Sequence, residues 1–230
     1  MKRGGGTLDD KAVYSVISCH TDSSPRSWTG DHYRVISCDP GHTSLGFCIM
    51  DQYLTGYCRV IALERFTIKS SRMVNDVPHL DHFRLLTNCL DRYRDHHALV
   101  HYVFIEKQVL MSRANEKIMN ALIMYYVIHL ANLPLRPFLI KISPHLKGKM
   151  LNFGRTVDGK RASIVRARDQ MIMYQDPAVY LLKADRVKHG EDMSDAYNQA
   201  RAFFLYLGLF TIEFPPLSHH QTLKLFDCLP

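Results

Sequence analysis

The sequence lacks the signatures of several common classes of protein. Its six cysteines are scattered and form no CxxC pair, so we predict free thiols in a reducing compartment rather than a zinc site or a disulfide framework. No apolar stretch reaches the length of a membrane span. A phosphate-binding Gly-Lys-Ser/Thr loop, a GxSxG motif and an HExxH motif are all missing. These absences argue against nucleotide-hydrolysing P-loop proteins, serine hydrolases and zinc hydrolases.

The bulk composition describes a folded and moderately basic protein. The chain has 230 residues, of which 47% are hydrophobic, and a formal net charge of +7. That length suits one decorated domain, and that hydrophobic content supplies a substantial core. The positive excess is compatible with a polyanionic partner such as nucleic acid.

The order of periodic segments predicts an α/β domain. Three strands in succession, then helix, strand, helix, strand and further helices indicate a five-stranded mixed sheet, three strands antiparallel and then two parallel, with helices on both faces. We expect a weakly ordered extension over 1–30, in which 12–17 is a candidate edge strand, a domain over 31–212 and an irregular tail over 213–230. The predicted strands are 35–38, 45–50, 57–66, 99–105 and 138–142, and the main helices are 77–97, 113–130 and 191–209.

Four acidic residues stand at unusual places in this pattern. Asp39 and Glu106 each end an apolar strand, and the two strands are expected to be parallel neighbours. Asp192 and Asp195 begin the last long helix and share one helix face. Considered alone, Asp39 is typical of a turn before Pro-Gly. Considered alone, Asp192 and Asp195 are typical of acidic residues that compensate the dipole at a helix start. Glu106 is harder to explain structurally, because glutamate is disfavoured in strands.

Taken together, the four carboxylates predict a metal site. Hard oxygen ligands suit Mg²⁺, for which Mn²⁺ can substitute, and carboxylates gathered without a cation would not keep their charge. Two such ions can activate a water and stabilise a leaving oxygen in phosphodiester cleavage. The predicted chemistry is therefore metal-dependent phosphodiester hydrolysis at Asp39, Glu106, Asp192 and Asp195.

Three motifs in order resemble those of one nuclease family. Residues 36–41 with the glycine-bearing strand 45–47, residues 104–108, and residues 188–196 are similar to the first, second and last motifs of RuvC-type Holliday-junction resolvases. The resemblance covers residues 33 to about 210. Within that superfamily the poxvirus-type and mitochondrial branch is the most similar, because Gln108, Arg113 and the strand ending in Ser143-Pro144 follow its order.

The resemblance implies a fold, an activity and a set of roles. It implies an RNase H-like fold, a homodimer, and symmetric nicking of four-way junctions with two Mg²⁺ ions per site in DNA recombination or repair. By position, Asp39, Glu106, Asp192 and Asp195 would hold the metals, and Lys188 would stabilise charge at the scissile phosphate. Alternatives are another RNase H-like nuclease acting on RNA–DNA hybrids, flaps or mismatches, and an inactive nucleic-acid-binding module. We expect an intracellular location. A viral protein would lie at the sites of viral DNA replication, and a member of the mitochondrial branch would lie in mitochondria.

Two further segments suggest contacts with DNA and with a second subunit. The most basic stretch lies between the fifth strand and the acidic helix, where it can flank the site and grip DNA phosphates. The helix 113–130 is apolar over more than one face, which indicates either complete burial or a two-fold interface. The basic residues expected to bind DNA are Lys147, Lys149, Arg155, Lys160, Arg161, Arg166 and Arg168.

Overall fold

The structure of the protein is a computed structural model. It describes residues 13–17, 30–41, 43–68, 80–108, 113–131, 133, 137–153, 159–182 and 187–210, without the side chains of residues 160 and 187–189. The tail 213–230 and most of the extension 1–30 therefore lie outside the described residues. Within the described part, no helix is long and apolar enough to cross a membrane.

The sheet has six strands in the order β1-β6-β5-β2-β3-β4. Strands β2, β3 and β4 form an antiparallel meander, β5 and β6 run parallel to β2, and β1 pairs antiparallel with β6. This confirms the mixed α/β sheet expected from the sequence. The strands are β1 (Tyr14–Ile17), β2 (His32–Pro40), β3 (Ser44–Tyr53), β4 (Cys58–Thr67), β5 (Tyr102–Glu106) and β6 (Phe138–Ile142).

The predicted number of five strands is wrong, because the N-terminal extension contributes the sixth. Strand β1 comes from the candidate edge segment and lies level with β6 from Tyr14 opposite Ile142 to Ile17 opposite Leu139. Without β1, the outer edge of β6 would leave its backbone N–H and C=O groups unpaired. The sequence marks this segment as a candidate edge strand but does not show which strand it pairs with, and that pairing follows from the open edge of the sheet.

Two helix boundaries in the structure differ from those predicted from the sequence. The helix expected over 77–97 is α-helical only to Asp91 and continues as a 3₁₀ turn, because the ring of Tyr93 packs on Phe47 and its hydroxyl bonds Glu64 on β4. The last helix begins at Val187, one turn before Glu191. The helices are α1 (Leu80–Asp91), α2 (Arg113–Leu130), α3 (His145–Met150), α4 (Gly159–Met173) and α5 (Val187–Tyr206), with 3₁₀ helices at Arg94–Leu99 and Pro177–Leu181.

Helices cover both faces of the sheet, as the strand pattern predicts. Successive residues of a strand point to opposite faces, so Val35 packs with α5 whereas Ile36 packs with α1 and α2. On the α5 side, the rings of Phe104 and Phe203 are in contact, with centroids 4.7 Å apart and planes tilted by 50°. Full burial of an aromatic side chain of this size stabilises the fold by about 2–3 kcal/mol. The core on this side packs α5 against the sheet.

A glycine brings the start of α5 onto the sheet. A Cβ atom on Gly46 of β3 would lie only 1.9 Å from the backbone carbonyl oxygen of Asp192. Any side chain at this position would therefore push α5 away. Ala196, one turn further along α5, is fully buried in the same packing. The close approach of α5 places its first acidic residues directly above β3.

Candidate active site

The four predicted carboxylates meet at the carboxyl ends of the central strands β2 and β5, and this end of the sheet is called the site edge of the sheet below. Asp39 lies near the carboxyl end of β2, and Glu106 is the last residue of the parallel neighbour β5, where Cys38 is level with Ile105. Asp192 and Asp195 stand in the early turns of α5, which packs on β2 and β3. The charges of Glu106, Asp195 and Asp192 all act on the carboxyl group of Asp39. The structure therefore brings together the acidic set that the sequence singles out.

Lys147 lies inside this acidic cluster. Its Nζ atom is 2.6 Å from Oε2 of Glu106 and 3.3 Å from Oδ2 of Asp195, and the residue is only 6% exposed. Helix α3 carries Lys147 there because β6, which precedes α3, runs parallel to β5 and ends at the same edge. The ammonium group therefore bridges a strand-borne acid and a helix-borne acid.

Burial and charge shift the pKa values of two members of the cluster in the same direction. Burial, reinforced by the negative charge of Glu106, raises the pKa of Asp39 well above its ordinary value. Burial by itself lowers the pKa of Lys147, but the negative charges of Glu106, Asp195 and Asp39 outweigh it, so the net pKa is raised. Lys147 therefore stays charged, whereas Asp39 binds a proton more readily than an exposed aspartate does.

Asp192 and Asp195 are each oriented by partners outside the acidic set. Oδ2 of Asp192 accepts hydrogen bonds from the Ser44 hydroxyl at 2.8 Å and from Nε of Arg65 at 2.6 Å. The hydroxyl of Ser163 on α4 donates to Oδ1 of Asp195. Asn198 donates in turn to both the hydroxyl and the backbone carbonyl of Ser163, at 2.9 and 2.8 Å. Neighbours on β3, β4 and α4 thus restrict the rotation of both helix-borne carboxylates.

The donor chemistry of the cluster fits a hard divalent cation. Buried carboxylate oxygens are the ligands that Mg²⁺ takes, and gathered carboxylates require positive charge nearby. As they stand, no three His, Cys, Asp or Glu side chains in the described ranges are arranged to hold an ion. The positive charge comes instead from Lys147, which holds Glu106 and Asp195, and from Arg65, which holds Asp192.

The other predicted site residues fall into three groups. Lys188 lies in the first turn of α5, one helical turn before Asp192, but its side chain is outside the described residues, as are the side chain of Lys160 and all of Arg155. Lys149 is exposed and Arg161 is partly exposed. Lys147, Arg166 and Arg168 are buried, so they do not offer their charge to DNA on the surface as the sequence analysis expected.

Sequence reasoning missed the roles of several residues at this site. It places Lys147 on a DNA-binding surface, because a run of basic residues predicts a solvated face. It does not single out Ser44, Arg65 or Ser163. A signal for Lys147 exists in the sequence, since α3 follows a strand parallel to β5 and begins at the same edge. Nothing in the sequence near Arg65 distinguishes it from other arginines.

Comparison with solved structures places the fold. The chain is similar to Thermus thermophilus RuvC in complex with a Holliday junction substrate, with TM-score 0.52 and 15% identity over 77% of this chain and 98% of that one. Fowlpox virus resolvase in complex with Holliday junction DNA gives TM-score 0.53 and 19% identity over 76% of this chain and 99% of that one. The yeast mitochondrial Holliday junction resolvase gives TM-score 0.52 and 17% identity over 80% and 84%.

These similarities establish the fold. The sequence matches no protein-family model and no curated protein sequence. The three neighbours are the bacterial, poxvirus and mitochondrial resolvases that the sequence motifs resemble. The chain therefore shares its fold with all three kinds of protein.

Proposed function

We propose that this chain, which has the fold of the RuvC-type Holliday-junction resolvases, is a divalent-metal-dependent endonuclease that cuts four-way DNA junctions. The observation that carries the proposal is the meeting of Asp39, Glu106, Asp192 and Asp195 at the carboxyl ends of β2 and β5, where Lys147 bridges Glu106 and Asp195. A fold of this kind hosts several activities, so the activity has to be argued from the site. Hydrolysis of a phosphodiester is the chemistry that such a carboxylate set supports.

The four acidic residues would hold the metal ions, and two serines orient them. Asp39, Glu106, Asp192 and Asp195 would bind Mg²⁺, and when bound the ions supply Lewis acidity that activates a water and stabilises the departing 3′ oxygen. Ser44 and Ser163 hold the carboxylates of Asp192 and Asp195 in position. Positioned ligands of this kind keep a metal site geometrically defined.

Lys147 has a defined electrostatic task in this proposal. Its charge keeps Glu106 and Asp195 together at the edge of the sheet in the metal-free protein. A half-buried carboxylate that loses its partner is destabilising, because its charge is then poorly solvated. Lys147 thus preserves the geometry of the carboxylates until a cation binds.

DNA would approach this edge over the exposed basic residues that flank it. Lys149, on the same helix as Lys147, is exposed, and Arg161 on α4 is partly exposed. We include Arg155 and Lys160 in this surface on the basis of sequence alone. Lys188 keeps the separate role of stabilising charge at the scissile phosphate, also on the basis of sequence alone. Contacts with phosphates make binding fall as the salt concentration rises.

A homodimer would supply the two active sites that a symmetric cut requires. The outer face of α2 leaves Met124 57% exposed and Ile128 63% exposed, whereas Met119 and Tyr125 on the same helix are buried. Two-fold pairing presents the same patch on both subunits. We therefore propose that α2 forms the dimer interface through its outer face.

Replacing Met124 and Ile128 together by glutamate is expected to convert the dimer to a monomer at micromolar concentration. Two negative charges on each copy of a two-fold interface would face their equivalents across it and repel. Sedimentation equilibrium measures the outcome. Ile172→Glu is the control, because Ile172 is equally exposed on α4 and lies outside the proposed interface. A wild-type protein that sediments only as a monomer would rule out the interface.

A panel of synthetic substrates tests the function itself. The wild-type protein is incubated with a four-way junction, a flap and an RNA–DNA hybrid, with Mg²⁺ and with a chelator. We expect symmetric nicks in the junction and none with the chelator. Preferential cutting of the hybrid or flap would assign the protein to another nuclease activity. Binding to the junction without any cutting would assign it to an inactive binding module.

A further inference from the structure

Arg65 of β4 lies level with Asp39 across the sheet. The register pairs Asp39 of β2 with Gly46 of β3, and Gly46 with Arg65 of β4. Residues directly opposite in antiparallel strands point to the same face, and two strand spacings amount to roughly 10 Å. Gly46 between them has no side chain, so the start of α5 occupies the space above it. Arg65 therefore reaches the same side of the site as Asp39.

Arg65 bonds to the acidic cluster through only one of its nitrogen atoms. Nε donates to Oδ2 of Asp192 at 2.6 Å, and the side chain is 13% exposed. Its two Nη groups have no bonding partner in the part of the chain that the structure describes. Arg34 offers a contrast, since both its Nε and its Nη2 are bonded to Asp51. Arg65 is thus anchored through Nε, and the N–H donors of its two Nη groups remain available to a ligand.

A phosphodiester at this edge would need a positive partner besides the metal ions. The four carboxylates repel the phosphate, and Lys147 is already bonded to Glu106 and Asp195. A guanidinium group can bind a carboxylate and a phosphate at once, because its donors point outward in a plane. Anchoring by Asp192 reduces the conformational entropy that Arg65 loses when it binds a phosphate.

We propose that Arg65 is a substrate-contacting residue whose Nη groups bind the scissile phosphate while its Nε atom holds Asp192. The inference rests on the proposed nuclease function and adds to it a residue that binds the phosphodiester directly. Arg65 takes no part in bond making. It stabilises the negative charge on the phosphate oxygens as the water attacks.

The test couples a change in the protein to a change in the DNA. The bond cut by the wild-type protein is mapped first, and a junction is then made with a neutral methylphosphonate at that position. Binding of both junctions is measured with Ca²⁺ in place of Mg²⁺. We expect the wild-type protein to lose about 10-fold or more in affinity on the neutral phosphate, as for a charged hydrogen bond. Arg65→Gln is expected to lose at least about threefold less than the wild-type protein, because its own contact is already absent and only the contact with the metal ions remains.

Ser44→Ala is the matched control for this experiment. It removes the other hydrogen bond to Oδ2 of Asp192 and leaves the guanidinium group in place. We expect Ser44→Ala to keep the full wild-type sensitivity to the methylphosphonate. If Ser44→Ala and Arg65→Gln lose that sensitivity equally, Arg65 acts only by orienting Asp192, and the inference is overturned. Arg65→Lys, which keeps the charge, is expected to show an intermediate sensitivity and serves if the glutamine variant does not fold.

The remaining outcomes separate this inference from the function on which it rests. If the wild-type protein cuts the junction and Arg65→Gln retains the full loss on the methylphosphonate, Arg65 does not contact that phosphate, and the nuclease proposal stands. If the wild-type protein cuts no junction, the nuclease proposal fails, and the role of Arg65 at a scissile phosphate is overturned with it. Cutting rates at saturating Mg²⁺ provide a second measurement. We expect Arg65→Gln to be slower by about 10-fold or more.

Discussion

Glu106→Gln and Asp192→Asn are each expected to lower the rate of junction cutting by at least about 10³-fold while changing junction affinity by less than about threefold. Each substitution removes one negative charge and one strong metal ligand from the cluster and keeps the size of the side chain. DNA affinity depends mainly on basic contacts with the phosphate backbone, so it is largely unaffected. Single-turnover cutting and a binding assay with Ca²⁺ measure the two quantities separately.

Glu191→Gln is the matched control for the Asp192 variant. Glu191 precedes Asp192 on α5 and carries the same charge, but it lies one position off the face shared by Asp192 and Asp195. We expect its cutting rate to stay near that of the wild-type protein. Cutting by either cluster variant at a rate close to the wild-type rate would refute the proposed site. An equal loss in Glu191→Gln would show that the total charge of the helix start matters rather than the geometry of the cluster.

Lys147→Met is expected to lower the free energy of unfolding of the metal-free protein by about 3 kcal/mol or more. Removing one partner of a buried ion pair leaves uncompensated charge, and this is strongly destabilising. Here Glu106 and Asp195 both lose the same partner. Saturating Mg²⁺ is expected to restore a large part of the loss, because a cation that binds the folded state stabilises it by mass action. Urea unfolding followed by circular dichroism, with chelator and with Mg²⁺, measures both effects.

Lys149→Met on the same helix distinguishes the buried charge from the loss of any lysine. Lys149 is exposed two residues from Lys147, and a surface substitution changes stability by about 0.5 kcal/mol or less. We expect Lys149→Met to unfold like the wild-type protein with and without Mg²⁺. A Lys147→Met protein as stable as wild type in chelator would mean that Glu106 and Asp195 do not depend on this ammonium group. Equal destabilisation of both variants would mean that the loss of stability arises from weakening of α3 and not from the charges of the acidic cluster.

The acidic set was predictable because local patterns place each of its members. Asp39 and Glu106 follow apolar runs of strand length, and the helix between those runs implies that the strands are parallel neighbours. Strand ends of parallel neighbours meet at one edge, so the two carboxylates had to lie close together. Asp192 and Asp195 are three residues apart at a helix start, which places both on one face. Periodicity and chain order carry this information without any tertiary contact.

The partners of those carboxylates were not predictable in the same way. Ser44 and Arg65 bind Asp192 across 148 and 127 positions of sequence, and Ser163 binds Asp195 from another helix. These contacts depend on the distance between α5 and the sheet, which Gly46 permits, and on the register of β3 with β4. A shift of one residue in that register would turn Arg65 to the opposite face. No local sequence pattern encodes such a distance or register.

By itself, then, the sequence determined the α/β class, the mixed sheet with helices on both faces, and the four acidic residues at its edge. These follow from the periods of strands and helices and from the places where apolar runs end. Only the tertiary structure decided that β1 completes the sheet, that Lys147 lies within the cluster, and that Arg65 reaches Asp192. Each of these depends on long-range packing, where the position of one element relative to another, and not the local pattern, sets which charges meet.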